Sequence, residues 1–320
     1  RLEISADAPP EMVDLLREQL DLSPEEVFHR SGPLDYRDFM TLTDLDRPDL
    51  QRASWSPLPH PRFAEGSAGE ASVTGSDVFD EVARDDVLLH HPYHSFEGTV
   101  QRFLDAAAND PDVLAIKAAI YRTASDSQVI QRLIDAADNG KQVAVMVELK
   151  ARFDEQNNLQ WVRKLEENGI HVAYGTVGLK THTKTALVVR EEADGVKLYS
   201  HVATGNYHSE TAKGYVDLGL LTADRDIGQD LVTVFNFFTG PSLDEEFRKL
   251  LVAPVTMRER FTDLVRREAR YARAGRPARI VAKMNALEDP AMVRELYEAS
   301  MAGVDIDLLV RDICRLRPGI

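Results

Sequence analysis

Cysteine is nearly absent: Cys314 is the single one in 320 residues, so an internal disulfide is excluded and no thiol set exists for structural zinc. This usage fits a reducing cytoplasm, and Cys314 reads as a small buried residue rather than a nucleophile. Long apolar runs are also missing. With 43% hydrophobic and 28% charged residues the chain has an ordinary globular composition, and no window reaches the roughly twenty-residue apolar stretch of a membrane span. A basic excess is lacking as well, 38 Lys and Arg standing against 53 Asp and Glu for a net charge of -15. That balance argues against nucleic acid as a partner, and any polyanion site has to be a local basic patch. No GxxxxGK[ST] phosphate loop and no serine or cysteine nucleophile signature occurs, so a nucleotide would be held by other means. The chain starts at Arg1 without a signal peptide and stops at Ile320 after an apolar run, and reads as an internal piece of a longer protein.

What is present suggests two domains, as the length does. The first 50 or so residues carry helical stretches such as Pro10 to Leu20, with Met12, Val13, Leu15, Leu16 and Leu20 on one side. Residues 54–76 are rich in Pro, Gly, Ser and Ala and mark a boundary. Beyond it apolar runs and amphipathic stretches alternate: strands at Val113 to Tyr121, Gln142 to Leu149 and Ile170 to Tyr174, helices at Ser127 to Asp138 and Asn157 to Glu167. This alternation predicts an α/β fold whose mixed sheet is mainly parallel and flanked by helices. A shift of 163 residues lays Tyr121 to Arg152 on Met284 to Arg315 without gaps. It matches Asp126 with Asp289, Leu133 with Leu296, Ala136 with Ala299, Gly140 with Gly303, Val147 with Val310 and Arg152 with Arg315. Generic α/β similarity and a duplicated fold both account for these matches.

The densest chemistry lies in Gly178 to Lys184, GLKTHTK, followed by the apolar run Thr185 to Val189. A strand beginning near Thr181 would turn Lys180, His182 and Lys184 to one face. Two ammonium groups beside an imidazole lower its pKa and also bind the phosphate oxygens a histidine would attack. The competing reading is a solvated strand edge. In Ala203 to Asn206, ATGN, the residues Thr204, Gly205 and Asn206 can offer a hydroxyl, close backbone approach and an amide to a phosphate, or simply make a turn. Tyr207, His208 and Tyr215 follow. Arg122 and Arg152 stand just past two strand ends, where open sheets place ligand crevices, and Arg311 and Arg315 take the matching place in the second copy. Surface ion pairs with Asp126 or Asp154 would explain the first two equally. His90, His91 and His94 have a metal-like spacing, but Pro92 breaks the helix that would align them and no acidic ligand accompanies them.

Taken together, these segments resemble the polyphosphate kinase family, which makes inorganic polyphosphate from ATP through a phosphohistidine. The resemblance runs through GPLDYRDFMTLTDLDRPDL, LLHHPYHSFEGTVQRFLDAAANDPDVLAIKAAIYRTASDS, NGKQVAVMVELKARFDEQNN, GLKTHTK, HVATGNYH and TAKGYVDLGLLTADRDIGQD, and on through VFNFFTG, KLLVAP, MRERF, AKMNALEDP and LLVRDICRLRPGI. It implies that His182 is the autophosphorylated residue, that Arg122 and Arg152 take part in Mg²⁺ and phosphate binding, and that Tyr215 and Arg311 contact the nucleotide. It further implies two phospholipase D-like catalytic halves, the offset repeat being their trace. On this basis residues 1–70 close a preceding α/β head domain, 71–250 form the first catalytic half, and 251–320 begin the second. ATP, ADP and polyphosphate are the implied partners of a homo-oligomer in the cytoplasm, with peripheral association at the inner membrane. Two departures stand out. Asp312 occupies a position where the family usually has glycine, and the same 163-residue shift would put the second family histidine past Ile320.

The expected reaction is in-line attack by neutral His182 on the γ-phosphoryl group of ATP, with Lys180, Lys184, Asn206 and the arginines holding its oxygens. Two rivals are a phospholipase D-like phosphodiesterase and a nonenzymatic polyanion-binding module. The first wants an aspartate five residues after the lysine, where this chain has Val189. The second would tolerate His182→Ala.

Overall fold

The computed structural model describes residues 2–51, 53, 55–63, 76–120, 128–148, 155–175, 179–239 and 246–317. They fall into two compact units, 1–56 and 57–320. In the first unit strands β1 (Leu2–Ser5) and β2 (Val27–Arg30) pair in parallel, with helix α1 (Pro10–Gln19) between them in sequence. Pro10 opens α1 at a position that needs no amide donor, while Glu11 and Arg17 suit the two ends of the helix dipole. The stripe read from the sequence is not a buried one: Met12, Leu15 and Leu20 are each more than half exposed.

The second unit runs α2 (Ser76–Arg84), β3 (Val87–His91), α3 (Arg102–Asn109), β4 (Val113–Ile120), α4 (Gln128–Asp138), β5 (Gln142–Val147), α5 (Glu155–Glu167) and β6 (His171–Tyr174). It continues with β7 (Lys184–Glu192), β8 (Gly195–Ala203), α6 (Ser209–Gly214), β9 (Asp217–Thr222), α7 (Arg225–Thr239), α8 (Met257–Arg273), β10 (Arg279–Met284), α9 (Pro290–Met301) and β11 (Asp305–Val310). Among the described residues β3 to β9 form one sheet in the order β3-β9-β8-β7-β4-β5-β6, and β10 pairs with β11 alone.

The α/β class and the mixed, helix-flanked sheet are as expected, but within the seven-stranded sheet parallel pairing is confined to β4-β5-β6 and the other four pairings are antiparallel. The cause is local. Crossover helices α4 and α5 return the chain in the same direction, whereas β7 and β8 are joined through Ala193 and Asp194, with Gly195 at φ +120°, and so tight a hairpin can only reverse the chain.

Alternation along β4 sends Ile116, Ala118 and Ile120 into the main core with α2 to α5, and Ala119 to the opposite face with Met146, Leu187 and the α7 residues Leu231 and Phe235. Helix α4 buries Val129, Ile130, Leu133, Ile134 and Ala136, the stripe that a 3.6-residue period dictates. It stops at Gly140, whose φ of +83° lets the Lys141 amide donate to the Ala136 carbonyl at 3.0 Å. Helix α9 stops in the same way, Gly303 having φ +96° and the Val304 amide donating to the Ala299 carbonyl at 3.1 Å. Asp289 caps α9 by accepting from the amides of Ala291 and Met292 at 2.9 and 3.2 Å. Its sequence counterpart, Asp126, lies outside the described residues. Both copies therefore fold as helix, glycine stop and strand, and in both the closing strand lies parallel to the one before the helix.

Register gathers one edge of the large sheet. His91 faces Asp217, Lys184 faces Ala203, and Ile120 faces Val147, so the ends of β3, β4, β5 and β8 lie beside the starts of β7 and β9.

Candidate functional site

The strand that follows His182 begins at Lys184, three residues later than the sequence alternation placed it. The Thr181 amide donates at 2.8 Å to the Glu148 carboxylate, beyond the end of β5, instead of to a neighbouring strand. This draws residues 179–183 off the sheet and separates the two lysines. Lys180 is exposed, while Lys184 is 3% exposed, on the same strand face as Ala186 and Val188, and its Nζ donates to the His182 carbonyl at 2.5 Å. His182 itself is exposed. Partial desolvation, then the charges of Lys184 and Lys180, hold its imidazole below the ordinary histidine pKa. Burial brings Lys184 down to about 8, opposed by Asp217 and assisted by Lys180. An imidazole kept neutral between two cations is a competent nucleophile toward a phosphorus that those cations would attract.

Beside it, the ATGN turn is tied to the start of β9. Thr204 Oγ1 donates to Asp217 Oδ1 at 2.8 Å and accepts from the Leu218 amide at 3.0 Å, so its single proton is committed to the turn. Gly205 is required sterically, because a Cβ there would stand 2.9 Å from the Asp217 side chain. Asn206 Oδ1 and His201 Nε2 are buried without a hydrogen-bond partner among the described residues, and both residues line one small cavity with His91 and Asp217. His201 is wholly buried and held neutral, its pKa brought to about 3, with Nδ1 2.8 Å from the Tyr207 hydroxyl. His208 caps α6, its Nδ1 accepting from the Thr211 amide at 3.3 Å.

Tyr215 and Arg311, far apart in sequence, are brought together: the guanidinium carbon lies 5.3 Å from the ring centroid, and Tyr215 as a residue remains 47% exposed. Arg122 and Arg152 lie outside the described residues, as does any contact they make. Arg315 reaches Glu288 at 3.9 Å. Two of the HHPYH side chains serve the backbone, His94 Nδ1 accepting from the His90 amide at 3.1 Å and His91 Nδ1 sitting 2.9 Å from the His94 carbonyl, while the His90 ring lies 4.7 Å from that of Tyr93. Cys314, expected inside, is exposed, because residues 311–315 run past the end of β11 instead of into its core. A cavity of about 590 Å³ is lined at one part by Lys180, Thr181, His182 and Thr183 and elsewhere chiefly by Leu, Val and Phe side chains of α7 and residues 247–257.

Glu148 and Asp217 went unread as site residues in the sequence. Both stand at strand termini inside segments that had been singled out, VELKAR and KGYVD, and an acid at a strand end looks like any solvated one until its partner is known.

Fold and site together define a mixed α/β protein that carries a repeated helix-and-strand unit and a basic, histidine-centred sheet edge. The family profile described as Polyphosphate kinase C-terminal domain 1 matches residues 77–244, and that described as Polyphosphate kinase C-terminal domain 2 matches residues 250–320. The chain belongs to the polyphosphate kinase family. It is 49% identical over 336 residues to a polyphosphate kinase of Thermosynechococcus vestitus, covering all of this chain and 46% of that protein. A polyphosphate kinase of Streptomyces coelicolor is 48% identical over 324 residues, again across the whole chain and 42% of that protein. The crystal structure of polyphosphate kinase from Porphyromonas gingivalis superposes with a TM-score of 0.76 at 34% identity, over 100% of this chain and 50% of that one. The chain thus spans about half the length of the curated relatives it matches.

Among the described residues no donor set makes a protein-only Mg²⁺ site. Guanidinium groups such as those of Arg122 and Arg152 have no lone pair to give a cation, and no cluster of three or more His, Cys, Asp or Glu suited to a metal occurs among the described residues. Nor, among those residues, is any helix long and apolar enough to cross a membrane.

Proposed function

We propose that this chain carries a phosphotransfer centre of an ATP:polyphosphate phosphotransferase, with His182 as the phosphoryl carrier. The observation behind this reading is the surroundings of His182: an exposed imidazole below its ordinary pKa, between exposed Lys180 and buried Lys184. An imidazole nitrogen attacks the γ-phosphorus of ATP, forming an N–P bond as the bridging P–O bond breaks and ADP leaves with the electron pair. A terminal oxygen of polyphosphate then attacks the same phosphorus, the N–P bond breaks, and the chain is longer by one phosphate. Run backward, the steps make ATP. Lys180 and Lys184 attract the γ-oxygens, Asn206 donates its amide, and Arg122 and Arg152 take further phosphate oxygens. Mg²⁺ enters this proposal as a companion of the nucleotide phosphates, not as a ligand of the two arginines. Tyr215 and Arg311 hold the nucleotide.

The division at about residues 70 and 250 belongs to the same reading and is supported by the two matched regions. So do a homo-oligomeric assembly and a cytoplasmic site of action with peripheral membrane association, which rest on the family alone.

The test is incubation of the complete polypeptide and its His182→Ala variant with γ-labelled ATP and Mg²⁺. Acid-labile, base-stable label is expected on the unaltered protein and not on the variant. Label that survives the substitution would move the nucleophile elsewhere. Binding of polyphosphate without any label would favour the polyanion-binding module, and steady phosphodiester hydrolysis the phosphodiesterase.

A further inference from the structure

One hydrogen bond joins the β10–β11 unit to the segment that carries Tyr215, and a second, inside that unit, fixes the guanidinium that lies against the Tyr215 ring. Lys283, the fifth residue of β10 and on its exposed side, donates from Nζ to the carbonyl of Val216 at 3.3 Å. It thereby holds the backbone just after Tyr215. Asn285 follows the end of β10, and its Oδ1 accepts from Arg311 Nη1 at 3.0 Å, fixing the guanidinium that lies against the Tyr215 ring. Neither group is loosely placed. The Arg311 amide donates to the Met284 carbonyl at 3.1 Å and the Asp312 amide to the Asn285 carbonyl at 2.8 Å, so the β10–β11 ladder continues through both residues. This ladder also gives Asp312 a backbone role that any residue but proline fills.

We infer that Lys283 and Asn285 are positioning residues for nucleotide binding, setting Tyr215 as a platform backed on one face by Arg311 and open on the other to a nucleobase. The inference rests on the reading that Tyr215 and Arg311 contact the nucleotide. Its physical basis is preorganisation. A half-exposed tyrosine on a turn loses rotamer and backbone freedom when a base stacks on it, and two anchors that remove this freedom beforehand lower the cost of binding. Because the ring lies before residue 250 and the anchors after it, nucleotide affinity is coupled to how the two matched regions meet.

The experiment compares steady-state kinetics of the complete polypeptide carrying Lys283→Met, Asn285→Ala, Tyr215→Ala or Arg311→Ala, with Lys283→Arg and Asn285→Asp as conservative replacements. Thermal midpoints serve as the folding control. Each anchor variant is expected to raise KM for ATP about fivefold, the loss of one ordinary hydrogen bond, with the effect on KM rather than kcat. The conservative pair should restore KM to within twofold, since each keeps a donor or acceptor in place. If Tyr215→Ala and Arg311→Ala raise KM while Lys283→Met and Asn285→Ala do not, or lower only kcat, the positioning role is wrong and the nucleotide reading stands. If none of the four raises KM, the nucleotide reading fails and the positioning role with it.

Discussion

The β4–α4–β5 and β10–α9–β11 units share a fold but not a setting. In the first, both strands sit inside the large sheet with α2 to α5 on one face and α7 on the other, and the α4 stripe is almost wholly buried. In the second, one face packs on α8 and α9 while the other presents Val281 at 63% and Leu309 at 53% exposure. The helix stop and strand direction are therefore properties of the local sequence, whereas the cover over a strand is a property of what else packs on it. Chemistry divides along the same line, with the cation-flanked histidine at the edge of the covered sheet and the residues that brace Tyr215 at the end of the uncovered pair.

The matched leucines test this contrast most severely. Leu133 is 0% exposed and Leu296 5%, but only the first sits in the large core. Leu133→Ala is expected to cost about 4 kcal/mol and Leu296→Ala about 2 kcal/mol, because a thinner shell collapses more readily around the cavity left behind. Denaturant titration of the two variants measures it, and equal losses would show that the second unit is as tightly packed as the first.

The two lysines probe the same line through charge. Lys184→Met should lower labelling of the protein by ATP about 100-fold, as does loss of one preorganised donor to developing phosphate charge, whereas Lys283→Met acts on KM. The pH dependence is specific to Lys184. Its folded pKa is about 8, below the ordinary lysine value, so between the two the unfolded chain binds the extra proton and stability rises with pH. Labelling nevertheless should fall as pH passes about 8 and the ammonium charge is lost. An alkaline loss of labelling without a drop in thermal midpoint is the expected pair of results, and Lys184→Arg should move the loss to higher pH.

How much of this was legible beforehand follows from range. Periodicity gave the β4 to β6 alternation because each crossover helix is local, but the placing of β3 and β9 at the far edge depends on pairings that no window contains. The reversal between β7 and β8 rests on the short turn at Ala193 and Asp194, which the general α/β alternation does not contain. His182 could be found because its lysines are neighbours in sequence. That Lys184 would be inside and Lys180 outside could not, since it hangs on Glu148 drawing Thr181 away from the sheet. The family resemblance implies a nucleotide contact for Tyr215 and for Arg311, but nothing near either residue announces that the two meet.

The smallest expected effect sharpens the claim that the helix stops are local. Gly140 and Gly303 have φ of +83° and +96°, a region where a side chain is strained whatever its surroundings. An added Cβ at Gly140 meets nothing within 4 Å, and at Gly303 only the Ala272 Cβ at 4.0 Å. Packing contributes little at either site, so Gly140→Ala and Gly303→Ala should each destabilise by about 1 kcal/mol, and by nearly the same amount despite their unequal cover. Thermal or urea unfolding of the two variants side by side measures the difference. If Gly140→Ala costs several times more than Gly303→Ala, the stop in the covered copy is held by its tertiary setting, and the correspondence between the copies is one of topology alone.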